Sequence, residues 1–334
     1  MKAVSLISGG LDSTLATSLI KEQGIEIFAL NFKTPFCLRD RKQTNGCHKF
    51  YSKEAADNLG IELKIVNVTD EFFKIIKNPK YGYGANINPC IDCRILMFSK
   101  AREFMQETGA KFIVTGEVLG QRPMSQHKQA LMIIEKESGL EGLVLRPLSA
   151  KLLPETIPEK EGWVDRNKLL DISGRTRRPQ IELAKKIDIK DYPCASGGCL
   201  LTDPEFTKRI KELMLHEGLS LNNVELLKIG RHFRLSKEAK LIVGRNKKEN
   251  ERLINLAKVN DYLFIPIDIA GPVALGRGNF AQDLIELSCR ITCRYCDLNG
   301  KINAGIVYKR LPQEEEKLLE VQAIEDNKLA ALRI

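Results

Sequence analysis

The sequence predicts a doubly wound parallel α/β sheet followed by a second, smaller α+β domain. Apolar strand candidates alternate with amphipathic helices over the first 115 residues, the arrangement that covers both faces of a parallel sheet with helices. A Gly9-Gly10 turn follows the first strand directly, and sheets of this class take ligands beyond the carboxyl ends of their strands. Near the turn-rich segment Cys194–Thr202 the pattern changes to short strands mixed with helices.

The elements follow in order. Lys2–Ile7 reads as a buried strand, Ser13–Gln23 as a helix and Ile25–Phe32 as a second strand. Lys49–Leu59 reads as a helix, Ile61–Val68 as a third strand, Ile91–Glu107 as a helix and Lys111–Thr115 as a fourth strand. The pattern loosens through Leu131–Ile134 and Leu143–Leu145 to a Pro-marked helical stretch at Pro154–Gly162. The basic segment Ser173–Pro179 precedes a helix at Gln180–Ile187. These elements make a first domain of residues 1–200. A second domain, 201–310, reads as helix 204–216, short strands around 224–243, helix 246–257, strand 261–267, helix 281–296 and strand 302–309. Residues 311–334, with Glu314, Glu315 and Glu316, read as an acidic tail.

Composition narrows the classes. Of 334 residues 43% are hydrophobic and 28% charged, which excludes general disorder. No apolar run reaches the roughly 18 residues that a membrane span needs. The short apolar N-terminal run ends in glycines and does not read as a secretion signal, so a cytoplasmic chain without membrane attachment is expected. Four histidines and no HExxH argue against histidine-rich zinc chemistry. The net charge is +9, and residues 207–258 hold 13 basic against 6 acidic groups. Such a block favours a polyanionic partner, although charge alone fits a solvated face equally well.

Ser8-Gly9-Gly10-Leu11-Asp12-Ser13-Thr14 joins the first strand to the first helix. Two glycines let an anion approach the backbone, and a helix N-terminus offers unpaired N–H groups and partial positive charge. Asp12 can cap the helix or orient magnesium. The segment is neither GxGxxG nor GxxxxGK[ST], and no lysine follows the glycines.

Nine cysteines fall at 37, 47, 90, 93, 194, 199, 289, 293 and 296. In a reducing compartment, grouped cysteines are more often metal ligands or catalytic thiols than disulfides. Cys90 and Cys93 stand three apart at the start of a helix, where the N-terminus is expected to lower thiol pKa and favour thiolate. A structural zinc half-site is the alternative. Cys289, Cys293 and Cys296 have CxxxCxxC spacing but also share one helix face, so core packing competes with a second metal site. Cys37 and Cys47 fall in one long loop beside His48.

The SGGLDS segment resembles the PP-loop of the adenine-nucleotide α-hydrolases, Rossmann-like enzymes that cleave ATP between the α and β phosphates and adenylate a substrate. The resemblance implies a nucleotide site at Ser8, Gly9, Gly10, Asp12 and Ser13, with ATP and Mg2+. Thr115-Gly116-Glu117-Val118-Leu119-Gly120-Gln121 looks like the TGESLGQ of the tRNA 4-thiouridine synthetases, adding Gly116 to the nucleotide pocket. Asn88–Cys93 is similar both to those enzymes and to the NPxxxC of the tRNA 2-thiouridylases, whose catalytic cysteine matches Cys93. Arg146-Pro147-Leu148 resembles the RPL of these families, and Cys194–Cys199 stands where a second catalytic cysteine is found.

What the resemblance implies is ATP-dependent thiolation of a tRNA uridine, with Cys90, Cys93, Cys199 and Asp12 as catalytic residues. The sulfur would come from a cysteine desulfurase persulfide or from inorganic sulfide, and a homodimer is admitted. Some relatives hold a [4Fe–4S] cluster on CxxC plus a distant cysteine, which matches Cys90, Cys93 and Cys199, with Cys194 as the alternative third ligand. Persulfide transfer without metal is the competing mechanism. The runner-up function is a small-molecule adenylating ligase or lyase of the same superfamily.

In the second domain Leu241–Asn250 and Asp261–Gly271 resemble the NFACT RNA-binding domain over roughly residues 200–310. The THUMP domain usual in 4-thiouridine synthetases is absent. Arg245, Lys247 and Lys248, at a glycine turn with Asn246 as expected helix cap, are expected to hold RNA backbone. Arg122 and the basic Arg177 and Arg178 would line the path to the adenylate.

Overall fold

The computed structural model describes residues 1–37, 51–189, 192, 198–313 and 315–334. The chain divides into two units, Met1–Asp203 and Pro204–Ile334.

The first unit is a parallel five-stranded sheet in the order β3-β2-β1-β4-β5. In chain order it runs β1 (Lys2–Leu6), α1 (Leu11–Lys21), β2 (Glu26–Lys33), α2 (Tyr51–Asn58), β3 (Leu63–Asn67), α3 (Thr69–Lys77) and α4 (Cys90–Thr108). It continues with β4 (Phe112–Thr115), α5 (Lys128–Ser138), β5 (Val144–Leu145), α6 (Ile157–Lys160) and α7 (Arg178–Lys186). Strand alternation explains the two-sided core. Ala3, Phe112 and Val114 join Leu11 and Leu15 of α1 and Ala184 of α7 on one face. Val4, Leu6 and Ile113 join Phe98 and Ala101 of α4 and Ile134 of α5 on the other. The strand order reverses between β1 and β4, so the crevice beyond their carboxyl ends is the switch point where such sheets bind ligands. Both Ser8–Ser13 and Thr115–Gln121 leave the sheet at that point.

The sequence reading missed α3. Leu131–Ile134, read as a loose continuation of the sheet, lies inside α5, whose N-cap is His127 accepting from the Ala130 N–H at 3.3 Å. Its apolar residues are spaced for one buried helix face: Ala130, Leu131 and Ile134 are covered and Met132 is exposed.

The second unit is an antiparallel six-stranded sheet in the order β11-β10-β8-β9-β7-β6. It contains α8 (Pro204–His216), α9 (Leu221–Leu227), β6 (Arg231–Arg234), β7 (Ala239–Val243), α10 (Lys247–Leu256) and β8 (Tyr262–Pro266). It closes with β9 (Ala274–Gly278), α11 (Gln282–Cys293), β10 (Asn303–Arg310), β11 (Lys317–Gln322) and α12 (Asp326–Leu332). Residues 224–227, read as strand, are helical because Ser220 caps α9 through the Asn223 N–H. The expected acidic tail is instead β11, paired along β10, and α12. Val321, Ile324 and Leu329 supply the apolar contacts that fold it against the core. Cys289 and Cys293 are fully buried in that same core, and Cys293 donates to the Val321 carbonyl at 3.5 Å.

Candidate active site

The nucleotide loop is built by its own hydroxyls. Ser13 Oγ donates to the Gly10 carbonyl at 2.9 Å and lies 3.2 Å from Ser8 Oγ and from the Ser8 N–H. Thr14 Oγ1 bonds the same carbonyl at 3.1 Å. Gly10 is the N-cap of α1 and contributes no side chain, so the opening N–H groups of the helix have no side-chain cap. That combination, open amides at a helix N-terminus beyond a parallel strand, suits an anionic phosphate. Gly9 has φ of +70°, and an added Cβ would overlap the backbone of Tyr51 and Ser52 at the start of α2. A side chain there is excluded both by torsion and by space.

Asp12 is tied to the loop after β4: its Oδ2 accepts from Gln121 Nε2 at 3.2 Å. Its Oδ1 is buried and has no hydrogen-bond partner. An orphaned carboxylate oxygen beside open helix amides would fit a divalent cation. Gly116 closes the pocket from β4, since a Cβ there would fall 2.5 Å from Asp12 C and Ser13 Cα.

The Cys90–Cys93 pair opens α4, with Pro89 as N-cap. The Cys93 N–H bonds the Pro89 carbonyl at 2.9 Å, and Asn88 Nδ2 points at Cys90 Sγ at 3.3 Å. Between them the buried Asp92 accepts from the backbone N–H groups of Lys80 at 2.9 Å and Tyr81 at 3.1 Å, which fixes the approach to the helix. Cys199 arrives from far along the chain on a pinned segment. It pairs in antiparallel fashion with Cys37, and Leu200 N–H bonds the Phe36 carbonyl at 2.9 Å. Ile87 N–H reaches Leu201 O at 3.3 Å, and Asn86 Nδ2 reaches Thr202 O at 2.8 Å.

The structure thus brings Cys90, Cys93 and Cys199 into one electrostatic neighbourhood and adds Cys37. Sequence spacing had grouped Cys37 with Cys47 and His48; both of those, and Cys194, lie outside the described residues. No spacing rule links Cys37 to Cys199, because only the strand-like pairing after β2 places them together. The expected lowering of the Cys93 pKa by the helix terminus is reversed. Although Cys93 is half-buried as a residue, desolvation of its thiol dominates and pushes it up to about 12, with Cys199 and Cys90 adding and Arg94 and Arg122 opposing. Burial likewise pushes Cys199 up to about 12, against the Leu201 backbone hydrogen bond. Arg122, expected on an RNA path, therefore acts electrostatically on both thiols.

Among the described residues all cysteines are free thiols, and no three Cys, His, Asp or Glu side chains form a metal-holding group. Cys90, Cys93 and Cys199 are donors of the right chemistry for iron, but among the described residues they are not drawn together into a metal-holding group.

Glu117 joins the two halves of the site and was not singled out from sequence. It is 2% exposed, accepts from Arg146 Nε at 3.1 Å and faces Arg94 Nε of α4 at 3.5 Å. Arg146, also buried, bonds Glu135 as well. The residue after Gly116 is therefore ion-paired to the residue after Cys93, coupling the nucleotide loop to the thiol helix. The only sequence signal was that a glutamate stands in the TGEVLGQ segment, where its charge could equally face solvent.

Arg177 caps α7 with its Nε buried and without a partner, and Arg178 is exposed. In the second unit Asn246 Oδ1 accepts from the Glu249 N–H at 3.1 Å, the cap expected of it. Lys247 and Lys248 are exposed, while Arg245 is clamped to Glu249, with Nη2 to Oε1 at 2.6 Å.

Family models match both units: one described as thiamine biosynthesis protein (ThiI) over residues 1–152, and the NFACT protein RNA binding domain over residues 230–333. The first unit resembles the PP-loop tRNA thiouridylases. Within the second unit, residues 230–333 are similar to the NFACT RNA-binding domain. The tRNA-specific 2-thiouridylase MnmA of Sulfurimonas denitrificans is 32% identical over 117 residues, 34% of this chain and 33% of that protein. The MnmA of Clostridium acetobutylicum is 35% identical over 124 residues, 34% of this chain and 35% of that protein. The chain thus spans about a third of the length of these curated relatives. A solved 4-thiouridine synthetase–RNA complex with bound ATP is 24% identical, covering 68% of this chain and 52% of that one at a TM-score of 0.38. No helix is long and apolar enough to cross a membrane among the described residues.

Proposed function

We propose that this PP-loop protein thiolates a uridine of tRNA at the expense of ATP. The observation that carries the reading is the Glu117 junction, which sets a phosphate-accepting loop and a buried thiol group against one another at the sheet's switch point. An adenylating ligase acting on a small molecule needs the loop but has no use for the thiols.

In this reading residues 1–200 form the catalytic domain. Ser8, Gly9, Gly10 and Ser13 hold the phosphates, Asp12 would hold Mg2+, which would supply charge screening when bound, and Gly116 shapes the nucleotide pocket. The uracil carbonyl oxygen attacks the α-phosphorus and pyrophosphate leaves. Sulfur then attacks the ring carbon, and AMP departs with the former carbonyl oxygen. Cys90, Cys93 and Cys199 carry the sulfur. A persulfide on one thiol delivers its outer sulfur, a second thiol attacks the inner one to release the thiouridine, and the resulting disulfide is reduced by an external thiol. A desulfurase persulfide recharges the reduced thiol by handing over its outer sulfur. Inorganic sulfide recharges the site instead by attacking the disulfide before its reduction, which leaves one persulfide and one thiol. The alternative, a [4Fe–4S] cluster on Cys90, Cys93 and Cys199 or Cys194, predicts iron and absorbance near 400 nm after anaerobic purification. A colourless, iron-free, active protein sustains the thiol route.

The second domain, with Arg245, Lys247 and Lys248, grips the RNA backbone, and Arg177 and Arg178 face the incoming strand. Selectivity then rests on tRNA shape and on an unpaired uridine reaching the pocket. AMP formation in the Asp12→Ala variant tests the first step: its loss with retained fold supports adenylation at this loop, and undiminished turnover removes it.

A further inference from the structure

The second unit holds a groove of about 350 Å³ lined by Arg294, Tyr295, Asp326, Leu329, Ala330 and Arg333. It lies between the end of α11 and α12, away from the Arg245–Lys248 turn in sequence and on different elements. Its volume is at the lower end of small-molecule sites.

Its chemistry is lopsided toward cations. Arg294 and Arg333 are exposed, and a single carboxylate, Asp326, opposes them. Among the described residues Asp326 takes Arg294, through Nε at 2.9 Å. The Arg333 guanidinium has no hydrogen bond or ion pair among the described residues. Tyr295 lines the same groove, and the guanidinium of Arg231 sits 4.4 Å from its ring centroid. That cation–π contact and the tilted Phe233 ring at 6.3 Å hold the tyrosine in place. Leu329 gives the groove an apolar floor continuous with the core. Guanidinium groups recognise phosphate through paired donors, and tyrosine edges and faces receive unpaired bases.

We infer that this groove binds one unpaired nucleotide of the RNA, its phosphate on Arg333 and Arg294 and its base against Tyr295 and Leu329. The inference rests on the RNA-binding reading of the second unit and assigns that unit a local, single-strand contact besides the backbone grip.

The test uses the full chain and fluorescence anisotropy with labelled tRNA, competed by a 12-nucleotide single-stranded RNA and by a 12-base-pair RNA duplex. The variants are Arg333→Ala, Arg294→Ala with Arg333→Ala, and Tyr295→Leu with Tyr295→Phe as its conservative partner. The double arginine variant should raise the tRNA Kd by about tenfold or more, with the log–log salt slope reduced by roughly 0.7–0.9 per lost phosphate contact. Tyr295→Leu should weaken binding and Tyr295→Phe restore it. The single strand should displace tRNA from wild type far better than the duplex. Arginine variants that bind tRNA as wild type does, on a wild-type chain that binds tightly, overturn the groove while leaving the RNA-binding reading intact. A duplex that competes as well as the single strand overturns the unpaired-nucleotide assignment. A wild-type chain that binds no tRNA overturns both the groove and the reading beneath it.

Discussion

Replacing Gly116 by alanine tests how tightly the site is assembled. The new Cβ would stand 2.5 Å from Asp12 C and Ser13 Cα, and ordinary van der Waals contact begins at 3.4 Å. Both neighbours are backbone atoms of the α1 N-terminus, so no side chain can swing away. The nucleotide loop must move from β4 by close to 1 Å. Over-packing of this kind costs about 1–3 kcal/mol of stability, a Tm loss of a few degrees for a unit of this size. Its catalytic cost is larger, because a displacement of about 1 Å at a reacting centre costs on the order of 10²-fold in rate. Asp12 would also be drawn off Gln121. The assay is tRNA-dependent AMP and pyrophosphate release at saturating ATP, with thermal unfolding measured alongside. A Gly116→Ala protein within twofold of wild-type turnover would refute the argument that this glycine sets the loop against the strand.

Glu117→Ala should destabilise the first unit by about 3 kcal/mol, the low end for a broken buried pair, because Glu135 still accepts from Arg146; urea unfolding measures it, and a loss under 1 kcal/mol would contradict the burial of the pair. Cys93 and Cys199, each pushed up to about 12 by burial, are protonated at neutral pH, so their alkylation by iodoacetamide should be slow at pH 7 and climb steadily toward pH 11. The linkage has the same sign: thiols raised from an unfolded value near 9 favour the folded chain below pH 9 and withdraw that support between pH 9 and 12. Rapid alkylation of Cys93 at pH 7 would contradict it. Replacing Arg245, Lys247 and Lys248 together by alanine should weaken tRNA binding and flatten its salt dependence by roughly 0.7–0.9 of a slope unit per lost contact. The Glu249 clamp on Arg245 predicts a loss nearer two contacts than three; an unchanged slope would make that turn a solvated face.

The parallel sheet was legible because its strands are short apolar runs set between amphipathic helices, and Gly9-Gly10 announced its own chemistry. The same local logic failed at α5 and α9, where an apolar run too short to distinguish strand from helix is decided by a cap, His127 or Ser220. It failed again at the acidic tail, where Lys317 and Glu320 take exposed positions of β11 while Val321 and Leu329 hold the segment to the core. Within the site, CxxC and its distant partner were readable as thiols. Their protonation was not, since the helix terminus is visible in sequence and the desolvation that outweighs it comes from tertiary packing. Glu117 and Cys37 acquire meaning only from residues distant in the chain, Arg94 and Arg146 for one and Cys199 for the other.

The central claim is that one chain couples ATP cleavage to sulfur insertion in tRNA. Nucleoside mass spectrometry tests it most directly, applied to unmodified tRNA incubated anaerobically with the protein, ATP, Mg2+, a cysteine desulfurase with cysteine as the persulfide source, and a thiol reductant. The account predicts a new uridine in which one oxygen is exchanged for sulfur, formed in step with AMP and absent with the Asp12→Ala and Cys93→Ala variants. AMP formed in equal amount without tRNA, and no thionucleoside with it, would contradict the account and favour a small-molecule ligase.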